Sequence, residues 1–344
     1  MQMQASRHFP SWLAEHNLSI GLSTYEAGKL ILVGRTSNGR LAANERSFTR
    51  AMGLWGDEQT LWAATGHQLW RFENVLQNGQ IEDDADRLYV PRVGYTTGDI
   101  DVHDVVWSQG QLHFITTLFS SLATLSKRHS FKPLWRPPFV SRIAAEDRCH
   151  LNGLAIRDGQ PRYVTAVSRS DVAEGWREFR RDGGVVIDLN ENQIIASGLS
   201  MPHSPRWYRD RLWLLDSGNG RFGHLEADGR FNEVAFCPGY ARGLAFVGDY
   251  ALIGLSRPRE ASFSGLALQE ALEQRGAKAR TSVVVVDLRR GDLVHTLFLD
   301  ERVSELYDVI ALPGVRRPKL LGFRSDEVKH LLSIEGEAGL WHPK

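Results

Sequence analysis

Apolar and polar positions alternate along most of this chain in short runs rich in Val, Ile, Trp and Phe, separated by glycine- and proline-containing turns. Period-two alternation marks strands with one face buried. The pattern repeats itself. Six stretches read as a two-strand unit with a polar tip: MGLWGDEQTLWAAT from Met52, HDVVWSQGQLHFITT from His103, NGLAIRDGQPRYVTAV from Asn152, HSPRWYRDRLWLLDS from His203, RGLAFVGDYALIGLS from Arg242 and YDVIALPGVRRPKLLGF from Tyr307. Counted from the second residue of each unit (Gly53, Asp104, Gly153, Ser204, Gly243, Asp308), the second strand begins eight residues on in four units, at Leu61, Leu112, Leu212 and Ala251. The offset is ten in the third, at Tyr163, and twelve in the sixth if Leu320 is the match, as expected for insertions at a hairpin tip. Two segments read as helix instead: PSWLAEHN, with Pro10 suited to a first helical turn, and the middle of the stretch from Ser256 to Thr281.

Between the units lie further strand pairs, among them GGVVIDLNENQIIASGL and TSVVVVDLRRGDLVHTLFL. Four antiparallel strands per repeat make a propeller blade, and radial repetition protects edges that an open sheet exposes. The expected fold is all-β: one six-bladed β-propeller domain over residues 1–344, with a helical lead-in at 1–17 and a loop insertion carrying a short helix at 256–281. The N-terminal stretch offers outer strands without an inner one, and the last unit lacks outer strands, so the two ends are expected to share one composite blade. A seventh, degenerate blade is the alternative.

Composition narrows the function classes. Lysine and arginine number 41 and acidic residues 41, with no block of like charge, so no field for nucleic acid or anionic lipid is present. No window is apolar enough for a membrane span, and MQMQASRHFPSWLAEHN lacks the basic start and apolar stretch of a secretory signal; a cytoplasmic location is the expectation. Cys149 and Cys237 show no metal-binding spacing and read as buried small residues. The GK[ST] ending of a phosphate loop, the GxSxG elbow and HExxH are all missing.

The segments STYEAGKLILVG, MPHSPRWY with RLWLLDSGNGRFG, and CHLNGLA resemble a bacterial family of conserved propeller proteins of unknown function, over most of the chain. More loosely, the inner-strand pattern is similar to gluconolactonase-like and NHL-type six-bladed propellers. That likeness implies a fold, and fold does not fix function.

In such a fold the first strand of each blade lines the central channel. Residues two apart face the same side. One ring then holds Met52, His103, Asn152, His203, Arg242 and Tyr307, and a second, two residues earlier, holds Arg50, Asp101, His150, Met201, Tyr240 and Glu305. His103, His150 and His203 come from adjacent blades, and three imidazoles with open positions suit a catalytic divalent transition metal such as Zn, Fe, Cu or Mn. Glu305 is then a ligand, a partner orienting an imidazole, or a base for metal-bound water, and Arg242 meets negative charge on a small-molecule or peptide substrate. Asp101, Asn152 and Tyr307 are the further substrate-facing candidates. The long loops opening SRSDVAEGW and SRPREASF end second strands and are expected to overhang this mouth, bringing Arg169, Arg257 and Arg259 to a positive rim. Hydrolysis, elimination and oxygen chemistry all fit these parts. Two plainer readings stay open: the histidines tie blades through backbone bonds and Arg242 pairs with Glu305, or the mouth binds a ligand or protein without chemistry.

Overall fold

An eight-residue offset is the length of a tight antiparallel hairpin, and in the computed structural model, which describes residues 2–257, 265–324, 326–337 and 339–341, the units fold that way. In the second unit Val105 faces Phe114 and Trp107 faces Leu112 across the pair. Six antiparallel-based sheets result, and the seven-bladed alternative falls away. Their inner strands are Leu54–Gly56, Val102–Ser108, Leu151–Arg157, Pro202–Tyr208, Tyr240–Val247 and Asp308–Pro313, each touching the next around the axis. We number the blades 1 to 6 in that order.

Blade 6 is the composite one: its inner strand Asp308–Pro313 comes from the C-terminal part, and Leu18–Thr24, Lys29–Arg35 and Leu41–Ser47 supply the outer three. The assignment of Leu320 to a second strand of this unit is corrected. That place is filled by Leu18–Thr24, and Pro318–Leu320 instead runs parallel to the outer strand of blade 1 as a fifth strand. Asp84 and Asp86 hold this exit, with Asp86 accepting the backbone N–H groups of Arg316 at 2.9 Å and Arg317 at 2.7 Å. Met3–Ala5 likewise extends blade 5. The helix Phe9–Glu15, with Pro10 in its first turn, buries Phe9, Trp12 and Leu13, and Ala267–Gln274 is the short helix expected within 256–281.

Apolar side chains fill the spaces between neighbouring blades, and aromatic pairs recur there: Trp62 on Trp107 at 5.6 Å, Tyr163 on Trp207 at 5.8 Å and Tyr208 on Phe246 at 4.5 Å between ring centroids. Stacked pairs add about 0.5–1.5 kcal/mol each beyond the area they bury. Cys149 and Cys237 are buried free thiols, pushed up to about 12 by burial. Among the described residues no helix is long and apolar enough to cross a membrane.

The second residue of each unit sits where the blades converge, and its identity alternates: glycine in blades 1, 3 and 5, and Asp104, Ser204 and Asp308 in blades 2, 4 and 6. Each polar side chain accepts a backbone N–H from the following blade: Asp104 from Leu154 at 2.9 Å, Ser204 from Gly243 at 3.0 Å, and Asp308 from Leu54 at 2.8 Å. Each glycine lets its blade approach the next one closely. A Cβ on Gly153 would lie 2.4 Å from Pro205 Cδ, and one on Gly243, whose φ is +77°, would lie 2.4 Å from the Val309 nitrogen. The six interfaces therefore alternate between a side-chain-to-amide tie and a bare-backbone contact. Second-strand hydroxyls add a further set of ties: Thr117 to the Leu151 carbonyl at 2.6 Å, Ser217 to Ala241 at 2.7 Å and Ser256 to Leu306 at 3.1 Å.

Arg206 lies between the two hub carboxylates. Its guanidinium donates to Asp104 at 2.8 and 3.2 Å and stands 3.9 Å from Asp308. Burial raises the Asp308 pKa to about 7, against the attraction of Arg206 and with the Asp104 charge adding to the rise. Removing Arg206 leaves buried carboxylates uncompensated, so Arg206→Ala is expected to cost about 3 kcal/mol in urea unfolding; Asp104→Asn in the same chain is expected to return part of that loss. A second expectation concerns pH. The folded Asp308 keeps a proton that the unfolded carboxyl, at 3.8, releases, so its contribution to stability falls as pH rises from about 4 to 7. Asp308→Asn is therefore expected to gain stability relative to the parent across that window, measured by denaturation at successive pH values.

Candidate functional site at the axial mouth

Four equivalent residues that lead into inner strands, Arg50, Asp101, His150 and Met201, have left-handed backbones, with φ of 51°, 53°, 50° and 50°. This conformation costs non-glycine residues on the order of 1 kcal/mol or more. It recurs in four of the six blades; Tyr240 and Glu305 at the equivalent positions lack it. The residues of this ring all line one cavity of about 510 Å³ at the mouth of the channel. Of the ring that begins the units, His103, Arg242 and Tyr307 line it; Met52, Asn152 and His203 lie outside the lining. Simple strand alternation was the sequence argument for the shared face. A left-handed residue accompanies that position in four blades, while Tyr240 and Glu305 reach the cavity without one.

The histidines fall into different roles. His203 and His103, equivalent in blades 4 and 2, make the same local bond: Nδ1 faces the carbonyl two residues back, at 2.7 Å to Met201 and 3.3 Å to Asp101. A carbonyl only accepts, so each Nδ1 carries the proton and each Nε2 the lone pair. In His203 that lone pair is used, because it receives the Arg242 Nε–H at 3.3 Å. In His103 it is left toward the cavity. Burial pushes the His103 pKa down to about 4 despite the nearby Asp101, and burial together with the Arg242 charge pushes His203 well below 6.5.

His150 is held otherwise. Its Nδ1 lies 2.8 Å from Asp147 Oδ2, which also accepts the Trp176 indole N–H at 2.8 Å. Trp176 stacks on the imidazole at 4.0 Å, and the His103 ring meets it edge-on at 4.9 Å. Trp176 belongs to the 3₁₀ turn Gly175–Phe179 in the loop expected to overhang the mouth, and it does so: Glu174, Trp176, Arg177 and Arg180 all line the cavity. The helix Ala267–Gln274 packs Leu268 and Leu272 into the same cluster as Trp176, bracing that loop.

Arg242 is gripped from three sides. His203 takes its Nε–H, the Tyr307 ring lies 4.6 Å from its guanidinium carbon and the Tyr240 ring 5.6 Å. Burial lowers its pKa, but Tyr307, Tyr240, Glu305 and Asp101 outweigh that and hold it charged. Arg242 and Glu305, an ion pair in one of the two sequence readings, form no direct salt bridge; the Glu305 carboxylate accepts the Glu26 backbone N–H at 2.9 Å and acts on Arg242 through its charge. Burial opposes the ionisation of Asp101, yet His103, His150, Arg50 and Arg242 hold its pKa below the usual carboxylate value. Its Oδ1 pairs with Arg50 at 3.2 Å.

Other sequence candidates lie elsewhere. Asn152 is buried and donates its amide to the Pro202 carbonyl at 3.0 Å, tying blade 3 to blade 4. Arg169 and Arg257 are exposed and outside the cavity lining, with Arg257 bonded to the Glu301 carbonyl at 2.7 Å; Arg259 lies outside the described residues. Among the described residues, Arg50, Arg177 and Arg180 line the mouth beside Arg242. Among the described residues no group of three or more His, Cys, Asp or Glu side chains is arranged to hold a metal ion. The His203 lone pair is engaged by Arg242.

Six sheets around a polar axial cavity define a six-bladed β-propeller with a ligand-sized pocket. The chain belongs to the family described as a domain of unknown function, DUF4915, whose pattern matches residues 7–321. A comparison with curated proteins finds no match. Solved structures share the fold: the nidogen/laminin complex, at 11% identity and a TM-score of 0.53, covering 86% of this chain and 98% of that one, and a gluconolactonase-like protein, at 12% and 0.53, covering 92% and 99%. A Bacteroides caccae protein of unknown function matches at 9% and 0.47, covering 86% and 99%.

The depressed His103 pKa has a measurable sign. Below about pH 6.5 the unfolded imidazole takes a proton that the folded one refuses until about pH 4, so this residue's contribution is present above 6.5 and is lost as pH falls toward 4. His103→Asn is expected to lose less stability than the parent between pH 6.5 and 4, and NMR titration is expected to show the His103 ring neutral at pH 5.5.

Proposed function

We propose that this protein is an enzyme that seats a small anionic molecule in the axial cavity and removes a proton from it or from water. The observation that carries this reading is the Asp147–His150 contact at 2.8 Å. A carboxylate on Nδ1 fixes the tautomer and stabilises the imidazolium that forms as Nε2 takes a proton. Trp176 locks the ring by stacking, and Arg242 in the same cavity supplies the charge that an anion needs. Positioned general bases contribute about 10²–10⁴-fold in rate.

The divalent-metal reading draws on the same histidines, and the arrangement supports it less. His103 and His150 each leave one Nε2, whereas His203 would have to exchange Arg242 for the ion. The non-catalytic reading keeps the cavity and drops the chemistry.

One experiment separates the three. Deuterium incorporation from D₂O into small carbon acids (pyruvate, acetoacetate) is followed by NMR, with metal content measured on protein purified without a histidine tag. The expected result is exchange that His150→Asn lowers by about 10²-fold or more and that chelation leaves unchanged. Stoichiometric zinc, iron, copper or manganese that is lost in His103→Ala, together with activity lost on chelation, would replace this reading with the metal one. Binding without exchange would favour the non-catalytic module.

A further inference from the structure

The charge inventory of the cavity bears on which anion it would accept. Four arginines and five carboxylates line it. Arg50 is neutralised by Asp99 and Asp101, and Arg177 pairs with Glu174 at 3.1 Å. Arg180 is engaged through its Nε with the Arg177 carbonyl at 3.0 Å. Arg242 is different: it forms no ion pair with a described residue, and it is held by neutral partners, donating its Nε–H to His203 and meeting the Tyr240 hydroxyl. A guanidinium held by neutral partners keeps its charge and can still turn Nη donors toward two oxygens of one planar anion. Among the described residues carboxylates outnumber arginines in this lining, a balance that weighs against a second negative charge on a ligand more than against the first.

Resting on the reading that the cavity binds an anion, we propose that its ligand is a monocarboxylate gripped by the two Nη groups of Arg242, and that His203 is the positioning residue that sets this fork. The His203 bond needs a neutral ring with its lone pair on Nε2, which the Met201 carbonyl enforces from the other side at 2.7 Å. The flanking Tyr307 and Tyr240 rings, at 4.6 and 5.6 Å, keep the guanidinium from swinging out of the plane. Leu118, Met201 and Leu306 give the rest of such a ligand an apolar wall.

The test uses acetate, benzoate and inorganic phosphate as probes, with binding followed by ligand-observed NMR and calorimetry on the full chain. Saturable binding of a carboxylate is expected, with phosphate at least about ten-fold weaker. Arg242→Lys keeps the charge and loses the fork, and is expected to weaken carboxylate binding about ten-fold. His203→Ala is expected to weaken it by a similar factor, and His203→Gln, whose amide oxygen can accept the Nε–H, to restore part of the loss at unchanged thermal stability. Phosphate binding tighter than both carboxylates, no carboxylate binding, full affinity in Arg242→Lys, or His203→Gln no better than His203→Ala would each overturn the proposal. His150→Asn separates it from the acid/base reading: carboxylate binding that depends on Arg242, combined with exchange indifferent to His150, sinks that reading and leaves this subsite standing.

Discussion

Everything at the mouth depends on how closely six inner strands approach one axis. Strands carrying side chains on every residue cannot converge there, and bare backbones would leave amides unpaired in a buried place. The alternation of Gly53, Gly153 and Gly243 with Asp104, Ser204 and Asp308 resolves both problems. Each glycine removes the Cβ that would collide with its neighbour, and each acid or hydroxyl caps an amide across the next interface. Two buried carboxylates are the cost of that arrangement, and Arg206 offsets them from between. The hub is thus closed by polar bonds in the middle of an apolar fold.

That closure sets the geometry of the site one layer up. The residue three positions before each glycine, acid or serine comes to the mouth, and in four blades that residue has a left-handed backbone. The strain is tolerated because the layer below is fixed, and Arg50, Asp101, His150 and Met201 all reach one cavity. His103 and His203 repeat a single local bond to the carbonyl two residues back, so the repeat also sets their tautomers. What differs between blades is the neighbour that each lone pair meets. For His203 it is Arg242; for His103 it is open cavity.

The sequence carried the fold well because a period-two pattern repeated at a constant offset has few other solutions. It also brought His103, His150, Arg242, Asp101, Glu305 and Tyr307 to one cavity, since equivalent positions in a radial repeat are neighbours in space. Its failures have physical causes. Leu320 matched by composition, but a three-residue run pairs wherever an edge is available, and blade 1 offered one. Asp147 and Trp176 lie outside the repeated units, in segments whose path alternation does not specify. Arg169 follows its second strand as expected, yet the loop turns first and brings Arg177 and Arg180 over the mouth. The alternation of glycine with Asp or Ser was visible in the aligned units themselves, and it is the signal that would have located the hub.

Magnitudes bear on whether Arg242 and a metal ion can share this cavity. An ion on His203 Nε2 would sit about 2 Å from that nitrogen, which itself lies 3.3 Å from Arg242 Nε. The ion and the guanidinium would then be no more than about 5 Å apart, where a divalent and a single positive charge repel by roughly 6 kcal/mol at an effective dielectric constant of about 20. Asp101 and Glu305 temper that repulsion, but they already act to hold Arg242 charged. A divalent centre at His203 therefore requires Arg242 to leave, and the rings of Tyr240 and Tyr307 oppose its leaving. A bound carboxylate places opposite charge at the same point and asks no side chain to move. The same physics that burdens the cation site recommends the anion site, which is why His203 reads as the residue that aims an arginine.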